Sequence, residues 1–142
     1  MIKTIFLTLL LAISTSAQAI VSAPIIDVTP GKTFTVAIDL EDAEEVMATD
    51  ININYDRRVL TPVGDNFGCE GVVMIVTCNA FDGVLRISAY TPYLTNGGTL
   101  LTVRFTASKQ GCSELVFDLL HVYGVGGLVR SAGVDGMVCV TP

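Results

Sequence analysis

The side chains that could carry chemistry in this 142-residue chain are one histidine, His121, four cysteines and fourteen acidic residues. No Gly-x-Ser-x-Gly or His-Glu-x-x-His motif is present, so the common signatures of a serine nucleophile and of a zinc protease are missing. His121 has no partner in the sequence that would tune it for proton transfer, and no spacing among the acids singles out a catalytic carboxylate pair. We therefore expect no enzymatic activity and no cofactor.

Alternation between polar and apolar side chains from Thr49 to Asp56 is the most informative pattern. Successive side chains of a strand point to opposite faces, so one face of this segment is apolar and belongs to a core, with Ile51, Ile53 and Tyr55. The other face carries a ladder of short polar groups, Asp50, Asn52 and Asn54. Such a ladder is either a plain solvent surface or a docking surface, and the pattern leaves both interpretations open.

The four cysteines are Cys69, Cys78, Cys112 and Cys139. An even number of cysteines in an exported chain predicts two disulfides, for which three pairings exist. The first two cysteines flank one short segment, whereas the third opens a strand and the fourth lies in the last strand. We therefore favour Cys69 with Cys78 and Cys112 with Cys139. No Cys-x-x-Cys spacing occurs and the single histidine is distant in sequence, so we expect no metal site.

Residues 1–19 have the pattern of a secretory signal peptide. One lysine precedes an apolar run from Ile5 to Ile13, and small residues occupy Ala17 and Ala19. The run is far shorter than the roughly 20 apolar residues that a membrane-spanning helix needs. We expect cleavage after Ala19, a single domain over residues 20–142, an extracellular or periplasmic location, and no attachment to a membrane.

Charge narrows the range of partners. Eight basic and fourteen acidic residues give a net charge of −6, and removal of Lys3 with the signal peptide leaves −7. Nucleic acid is therefore not expected as a partner, because phosphate binding needs a basic stripe. The acidic run Glu41–Glu45 lacks the glycine and the alternating spacing of an EF-hand loop, which predicts a solvated connector.

Period-two patterning continues almost everywhere from Ala23 onward, with no convincing helical stretch. Short strands are separated by turn signals, of which Asp82-Gly83 is the strongest hairpin signal. Eight or nine such strands in a chain of this length predict an all-β fold with two sheets, either a sandwich or a jelly roll.

Two further strands are predicted to extend the polar ladder. Alternation over Val84–Tyr90 points Arg86, Ser88 and Tyr90 outward. Further along the chain it points Leu115, Phe117 and Leu119 inward and Val116 and Asp118 outward. We also expect Leu120 to add an apolar group to the outer surface. A surface of this mixed character resembles a protein interface more than a purely charged surface.

The order of these motifs resembles a cohesin domain. The similar segments are the turn and strand Pro30–Val36, the Tyr55-Asp56 pair followed by Leu60, the hairpin Asp82–Ile87, the strand Gly98–Phe105 and the closing Gly136–Val138. They cover most of the chain after residue 20, although each motif is short. Related sandwich modules, including carbohydrate-binding ones, share much of this pattern. The four cysteines depart from it, because cohesins usually need no disulfides.

The resemblance implies a nine-stranded jelly-roll β-sandwich with two sheets dominated by antiparallel pairs. It also implies a non-catalytic module whose outer sheet face binds a small calcium-loaded dockerin domain and so assembles polysaccharide-degrading complexes. In cohesins of the common type, an aspartate five residues before the Tyr-Asp motif contacts the dockerin, and that position here is Asp50. A second contact acid often lies in the turn before the next long strand, which here is Asp82. The predicted partner-binding residues are Asp50, Asn52, Asn54, Asp82, Arg86, Ser88 and Tyr90.

The alternative hypothesis is a carbohydrate-binding module. Sugar platforms need exposed flat rings, and this chain has no tryptophan. Tyr90, Tyr93 and Tyr123 are the rings that remain once Tyr55 is assigned to the core. In this hypothesis the segment Tyr90-Thr91-Pro92-Tyr93 presents two rings to a polysaccharide.

Overall fold

The computed structural model describes residues 18–43 and 45–142, so most of the predicted signal peptide lies outside the described residues. The strands are β1 (Ala19–Ser22), β2 (Ile25–Val28), β3 (Thr33–Glu41), β4 (Val46–Asn54), β5 (Leu60–Pro62), β6 (Cys69–Gly71), β7 (Ile75–Phe81), β8 (Val84–Thr95), β9 (Gly98–Ala107), β10 (Gly111–Gly124), β11 (Gly127–Val129), β12 (Ser131–Val134) and β13 (Gly136–Val140). A short 3-10 turn, Asp65–Gly68, precedes β6.

The strands form two sheets, which confirms the predicted all-β sandwich. One sheet has the order β12-β1-β3-β9-β5, with β6 also paired to β9, and we call it the β3 sheet. The other has the order β2-β13-β10-β4-β8-β7, with β11 paired to β10, and we call it the β4 sheet. Antiparallel pairs dominate, and the parallel pairs are β1 with β12 and β2 with β13. The described residues contain more strands than the predicted nine because several connections form strands of three or four residues.

The core between the sheets is aliphatic around one aromatic cluster. Phe105 of β9 is 2% exposed. Its ring centroid lies 6.1 Å from that of Phe34 and 5.5 Å from that of Tyr55. The predicted core position of Tyr55 is therefore confirmed, and its ring fixes the end of β4 against the opposite sheet.

Strand β10 departs from the predicted alternation at Asp118. Its pairing with β4 shifts between Phe117 and Leu119, which is a β-bulge that inserts one residue. Leu119 consequently lies opposite Asn52 on the outer side of the sheet, whereas Leu120 packs against the core. The predictions for Leu119 and Leu120 are wrong, because a one-residue insertion moves every later side chain to the other face.

Both favoured disulfides are present. Cys69–Cys78 ties β6 of the β3 sheet to β7, which is the last strand of the β4 sheet. Cys112–Cys139 joins residues that lie directly opposite each other in β10 and β13. The first disulfide therefore links the two sheets, and the second links neighbouring strands of one sheet.

The outer edge of β7 is also held by one side chain. The Asn66 amide Nδ2 donates to the Val76 carbonyl at 3.0 Å, and the Cys78 N–H donates to Asn66 Oδ1 at 2.8 Å. This pair of hydrogen bonds substitutes for a neighbouring strand and satisfies backbone groups that an edge strand leaves free. Strand β7 is thus fixed on the side that does not pair with β8.

Removal of either disulfide should lower the free energy of unfolding by an amount that follows the length of the closed loop. The sequence separations are 9 and 27 residues. Loop entropy then predicts losses of about 2.5–3 kcal/mol for Cys69→Ser/Cys78→Ser and about 3.5 kcal/mol for Cys112→Ser/Cys139→Ser. Urea unfolding of the two double variants measures the difference, each serving as the control for the other. Equal stability of both variants and the parent would contradict this account.

Candidate functional site

The outer side of the β4 sheet presents a broad face made by β10, β4, β8 and β7, which we call the outer face. These four strands are paired antiparallel. Directly opposed residues in antiparallel strands lie on the same side of a sheet, so the pairing register places side chains in rows across the face.

The two middle rows of the outer face are predominantly polar. One row runs across β7, β8, β4 and β10 and consists of Thr77, Ser88, Asp50 and His121. The neighbouring row consists of Asn79, Arg86, Asn52 and Leu119. Aspartate and arginine thus lie in adjacent rows among neutral hydrogen-bonding groups.

An apolar row lies on each side of this polar centre. At one end the row consists of Ile75, Tyr90, Ala48 and Tyr123, and it continues to Leu128 of β11. At the other end the row consists of Phe81, Val84, Asn54 and Val116. Phe81 is 78% exposed and Leu128 is 68% exposed. A polar centre between exposed apolar rows is a composition suited to a protein interface.

Asp50 is held in place by two neighbours on the outer face. Ser88 Oγ donates to its Oδ1 at 3.3 Å, and the Tyr123 hydroxyl donates to its Oδ2 at 3.5 Å. The His121 ring lies beside that tyrosine, with 6.3 Å between ring centroids. A carboxylate can accept about four hydrogen bonds, so Asp50 retains acceptor capacity for a donor brought by another molecule.

The structure brings most of the predicted partner-binding residues together. The outer face carries Asp50, Asn52, Asn54, Arg86, Ser88 and Tyr90. Asp82 lies in the β7–β8 turn, where its carboxylate is 3.0 Å from the Arg57 guanidinium and both side chains are exposed. It therefore belongs to the rim of the face, beside the row that contains Phe81 and Val84.

Sequence reasoning missed four members of the polar rows. Thr77 and Asn79 alternate with buried Cys78 in β7, a signal that could have found them. Leu119 and His121 face outward because of the bulge at Asp118, for which alternation carries no signal. His121, for which the sequence indicates no partner, lies within β10 directly opposite Asp50.

The Tyr-Asp motif after β4 has a structural role. The Asp56 backbone carbonyl accepts from the N–H groups of Val59 and Leu60, both at 3.0 Å. Its side chain accepts from the Arg58 N–H at 2.9 Å and binds the guanidinium through both oxygens, at 3.1 and 3.0 Å. The Asp56 N–H donates to Ser113 Oγ at 2.8 Å. Asp56 therefore organises the turn that returns the chain to β5.

This turn predicts a pH effect. Hydrogen bonds from the Arg58 side chain and then from its backbone N–H hold the pKa of Asp56 below its ordinary value. A lowered folded-state pKa stabilises the fold above the unfolded pKa of about 3.9, and this contribution is lost as pH falls through the folded pKa. NMR titration should show the Asp56 pKa rising part of the way back in Arg58→Ala, where the backbone donor remains. Arg57→Ala is the matched control and should leave it unchanged, and an equal response in both would refute the assignment.

Metal-ligand clusters and membrane-spanning helices are both absent from the part of the chain that the structure describes. No group of three or more histidine, cysteine, aspartate or glutamate side chains there could hold a metal ion. Residues 18–43 and 45–142 also contain no helix long and apolar enough to cross a membrane.

The two-sheet jelly-roll, with one broad sheet face of mixed polar and apolar side chains, places the chain among β-sandwich modules. The sequence profile of the cohesin domain matches residues 21–138, which is most of the chain. The chain belongs to the cohesin family. No curated protein matches it in sequence.

Solved structures share the fold at low sequence identity. A non-cellulosomal cohesin from the archaeon Archaeoglobus fulgidus is 16% identical, with a TM-score of 0.77 over 89% of this chain and 93% of that chain. The cohesin of a type I cohesin–dockerin complex from Clostridium thermocellum is 14% identical, with a TM-score of 0.77 over 87% and 99%. The sixth cohesin of scaffoldin B from Acetivibrio cellulolyticus, in complex with a mutant dockerin, is 15% identical, with a TM-score of 0.76 over 87% and 99%.

Proposed function

We propose that this chain is a non-catalytic docking module that binds a calcium-loaded, dockerin-type partner protein through its outer face. The observation that carries the proposal is the arrangement of rows, in which a polar centre at Asp50 lies between two exposed apolar rows. Membership of the cohesin family supports it, since two of the similar structures are cohesin–dockerin complexes.

The dimensions of the outer face suit a helical partner. Residues that face the same side of a strand are about 6.7 Å apart, so the four rows span about 20 Å. An α-helix of about 13 residues has that length at 1.5 Å per residue. Asp50 would accept hydrogen bonds from serine or threonine hydroxyls midway along such a helix. The apolar rows would then bury aliphatic side chains at both ends of the helix.

Export and a role in polysaccharide degradation complete the proposal. Two disulfides fit an oxidising compartment. A signal peptide at residues 1–19 would direct the domain out of the cytoplasm and would then be removed. Ala19 is the first residue of β1 and is 1% exposed, so cleavage after it would shorten that strand by one residue. A dockerin partner would join the module to enzymes that degrade polysaccharide.

Direct carbohydrate binding is the alternative function, favoured by two exposed rings. Tyr90 is 54% exposed and Tyr93 is 80% exposed, and they lie three residues apart in β8. Tyr90 lies directly opposite the apolar residues Ile75 and Ala48, which fits a protein contact better than a sugar platform. Protein docking therefore remains the first proposal.

An affinity capture separates the two functions. Residues 20–142 are immobilised and exposed to the secreted proteins of the source organism with calcium and then with a chelator, beside an insoluble-polysaccharide pull-down. We expect a dockerin-bearing protein, identified by mass spectrometry, to be retained with calcium and released by the chelator. Sedimentation with polysaccharide together with retention of no protein would overturn protein docking and favour the alternative.

A further inference from the structure

Strand β8 contains a large bulge at one end of the outer face. Tyr90 pairs with Ala48 and Thr95 pairs with Val46, so four residues of β8, 91–94, lie opposite the single residue Met47 of β4. An insertion of this size leaves several residues without ladder partners and bends the strand out of the regular sheet. Interactions other than strand pairing must therefore order the backbone of this segment.

A buried threonine holds the bulge in one conformation. Thr91 is 7% exposed, and its Oγ1 donates to the Tyr93 carbonyl at 2.6 Å. The same oxygen accepts from the Tyr93 N–H at 3.1 Å. Both polar groups of the Tyr93 backbone are thus satisfied locally, so the neighbouring side chains are presented from an ordered backbone.

Large apolar side chains are concentrated at this bulge. Tyr93 is 80% exposed, Leu94 is 46% exposed and Met47, which faces the bulge, is 40% exposed. The adjoining apolar row adds Ile75 at 52% and Tyr90 at 54%. We call these five residues the apolar corner. Exposed apolar side chains that are grouped at one place on a surface mark an interaction site, because water penalises them unless a partner covers them.

We propose that the apolar corner is a second contact surface for the same dockerin-type partner, and that it determines which partners bind tightly. The inference rests on the proposed function. The bulge follows directly after Tyr90 in β8, so the corner adjoins the row of Ile75 and Tyr90 at the end of the outer face. The chemistry it selects is a cluster of aliphatic or aromatic side chains at one end of the partner helix.

Pre-organisation explains why the bulge is useful for binding. An interface gains affinity when its side chains are already ordered, since less conformational entropy is lost on association. Tyrosine combines a large apolar ring with few rotatable bonds, and such residues dominate the binding energy of interfaces. Tyr93 on a backbone fixed by Thr91 meets both conditions.

The test uses three variants of the secreted chain and the dockerin domain identified by the capture, purified and titrated by calorimetry. Tyr93→Ser/Leu94→Ser should weaken binding about tenfold, because both side chains are truncated while the Thr91 hydrogen bonds to the Tyr93 backbone are kept. Thr91→Val keeps the Tyr93 and Leu94 side chains but removes the hydrogen bonds to the Tyr93 backbone, and it should weaken binding about threefold. Ile25→Ser is the matched control, since Ile25 is 79% exposed on the distant strand β2 and should change affinity less than twofold.

The possible outcomes distinguish a failure of the proposed docking function from a failure of the apolar-corner proposal. If the parent chain captures no dockerin, the proposed function falls and this inference falls with it. If the parent binds and the double variant binds equally well, the corner is not a contact surface although the docking function stands. A third outcome is that the double variant keeps its affinity for dockerin but, unlike the parent, does not bind insoluble polysaccharide. The corner is then a sugar platform and the inference is overturned. Circular dichroism and thermal melting of all variants establish that they are folded.

Discussion

Asp50→Ala should weaken dockerin binding about 100-fold and leave the melting temperature nearly unchanged. The carboxylate lies at the centre of the polar rows, and loss of a central charged hydrogen-bond acceptor costs a complex about 2–3 kcal/mol or more. Its contacts within the described residues are to Ser88 and Tyr123 hydroxyls, at 3.3 and 3.5 Å. Water can replace both, so the free energy of unfolding should change by less than about 0.5 kcal/mol.

Two further variants serve as comparisons for Asp50→Ala. Asp27→Ala removes an exposed acid from β2, beyond the outer face, and should leave affinity and stability unchanged. Asp50→Asn keeps an acceptor oxygen without the charge and should retain part of the affinity. Calorimetry gives the affinities and differential scanning calorimetry gives the melting temperatures. A large fall in melting temperature for Asp50→Ala would show that the residue is structural.

Phe105→Ala should be the most destabilising single substitution considered, with a loss of about 3–5 kcal/mol in the free energy of unfolding. The side chain is 2% exposed, and its removal deprives Phe34 and Tyr55 of their ring contacts. Tyr55 anchors the end of β4 that carries Asn54, so the outer face should also lose order at that end.

The Phe105 prediction is measured by urea unfolding with Phe34→Ala as the comparison. Phe34 is only half-buried at the periphery of the same cluster, so its truncation should cost clearly less. Amide exchange at Asn54 reports whether the effect reaches the outer face. A loss below about 1 kcal/mol for Phe105→Ala would show that the cluster is not a principal part of the core.

Local patterns predicted the parts of the fold that depend on neighbouring residues. Period-two alternation identified β4, including the outward ladder of Asp50, Asn52 and Asn54. Asp82 and Gly83 have φ angles of +52° and +80°, which is the backbone that the hairpin connection between β7 and β8 requires. Aspartate and glycine tolerate this conformation better than most residues, which is why the dipeptide was informative.

Two features of the candidate site depend on pairing between segments that are distant in sequence, and the local patterns did not predict them. The proximity of His121 to Asp50 depends on the register between β10 and β4 and on the bulge at Asp118. The apolar corner depends on the four-residue bulge in β8, where the Thr91 side chain bonds the Tyr93 backbone, and no sequence period reports that bulge. Alternation specifies which face a residue takes only while the register is regular, so neither feature could be predicted from the sequence pattern.

Mapping of backbone amide chemical shifts during titration with the purified dockerin domain tests the docking face most directly. We expect the largest shifts in β4, β8, β7 and the second half of β10, centred on Asp50 and Ser88, and we expect them to disappear when a chelator removes calcium. Shifts that cluster on β3 and β9 of the opposite sheet would contradict the account, because they would place the partner on the other side of the sandwich.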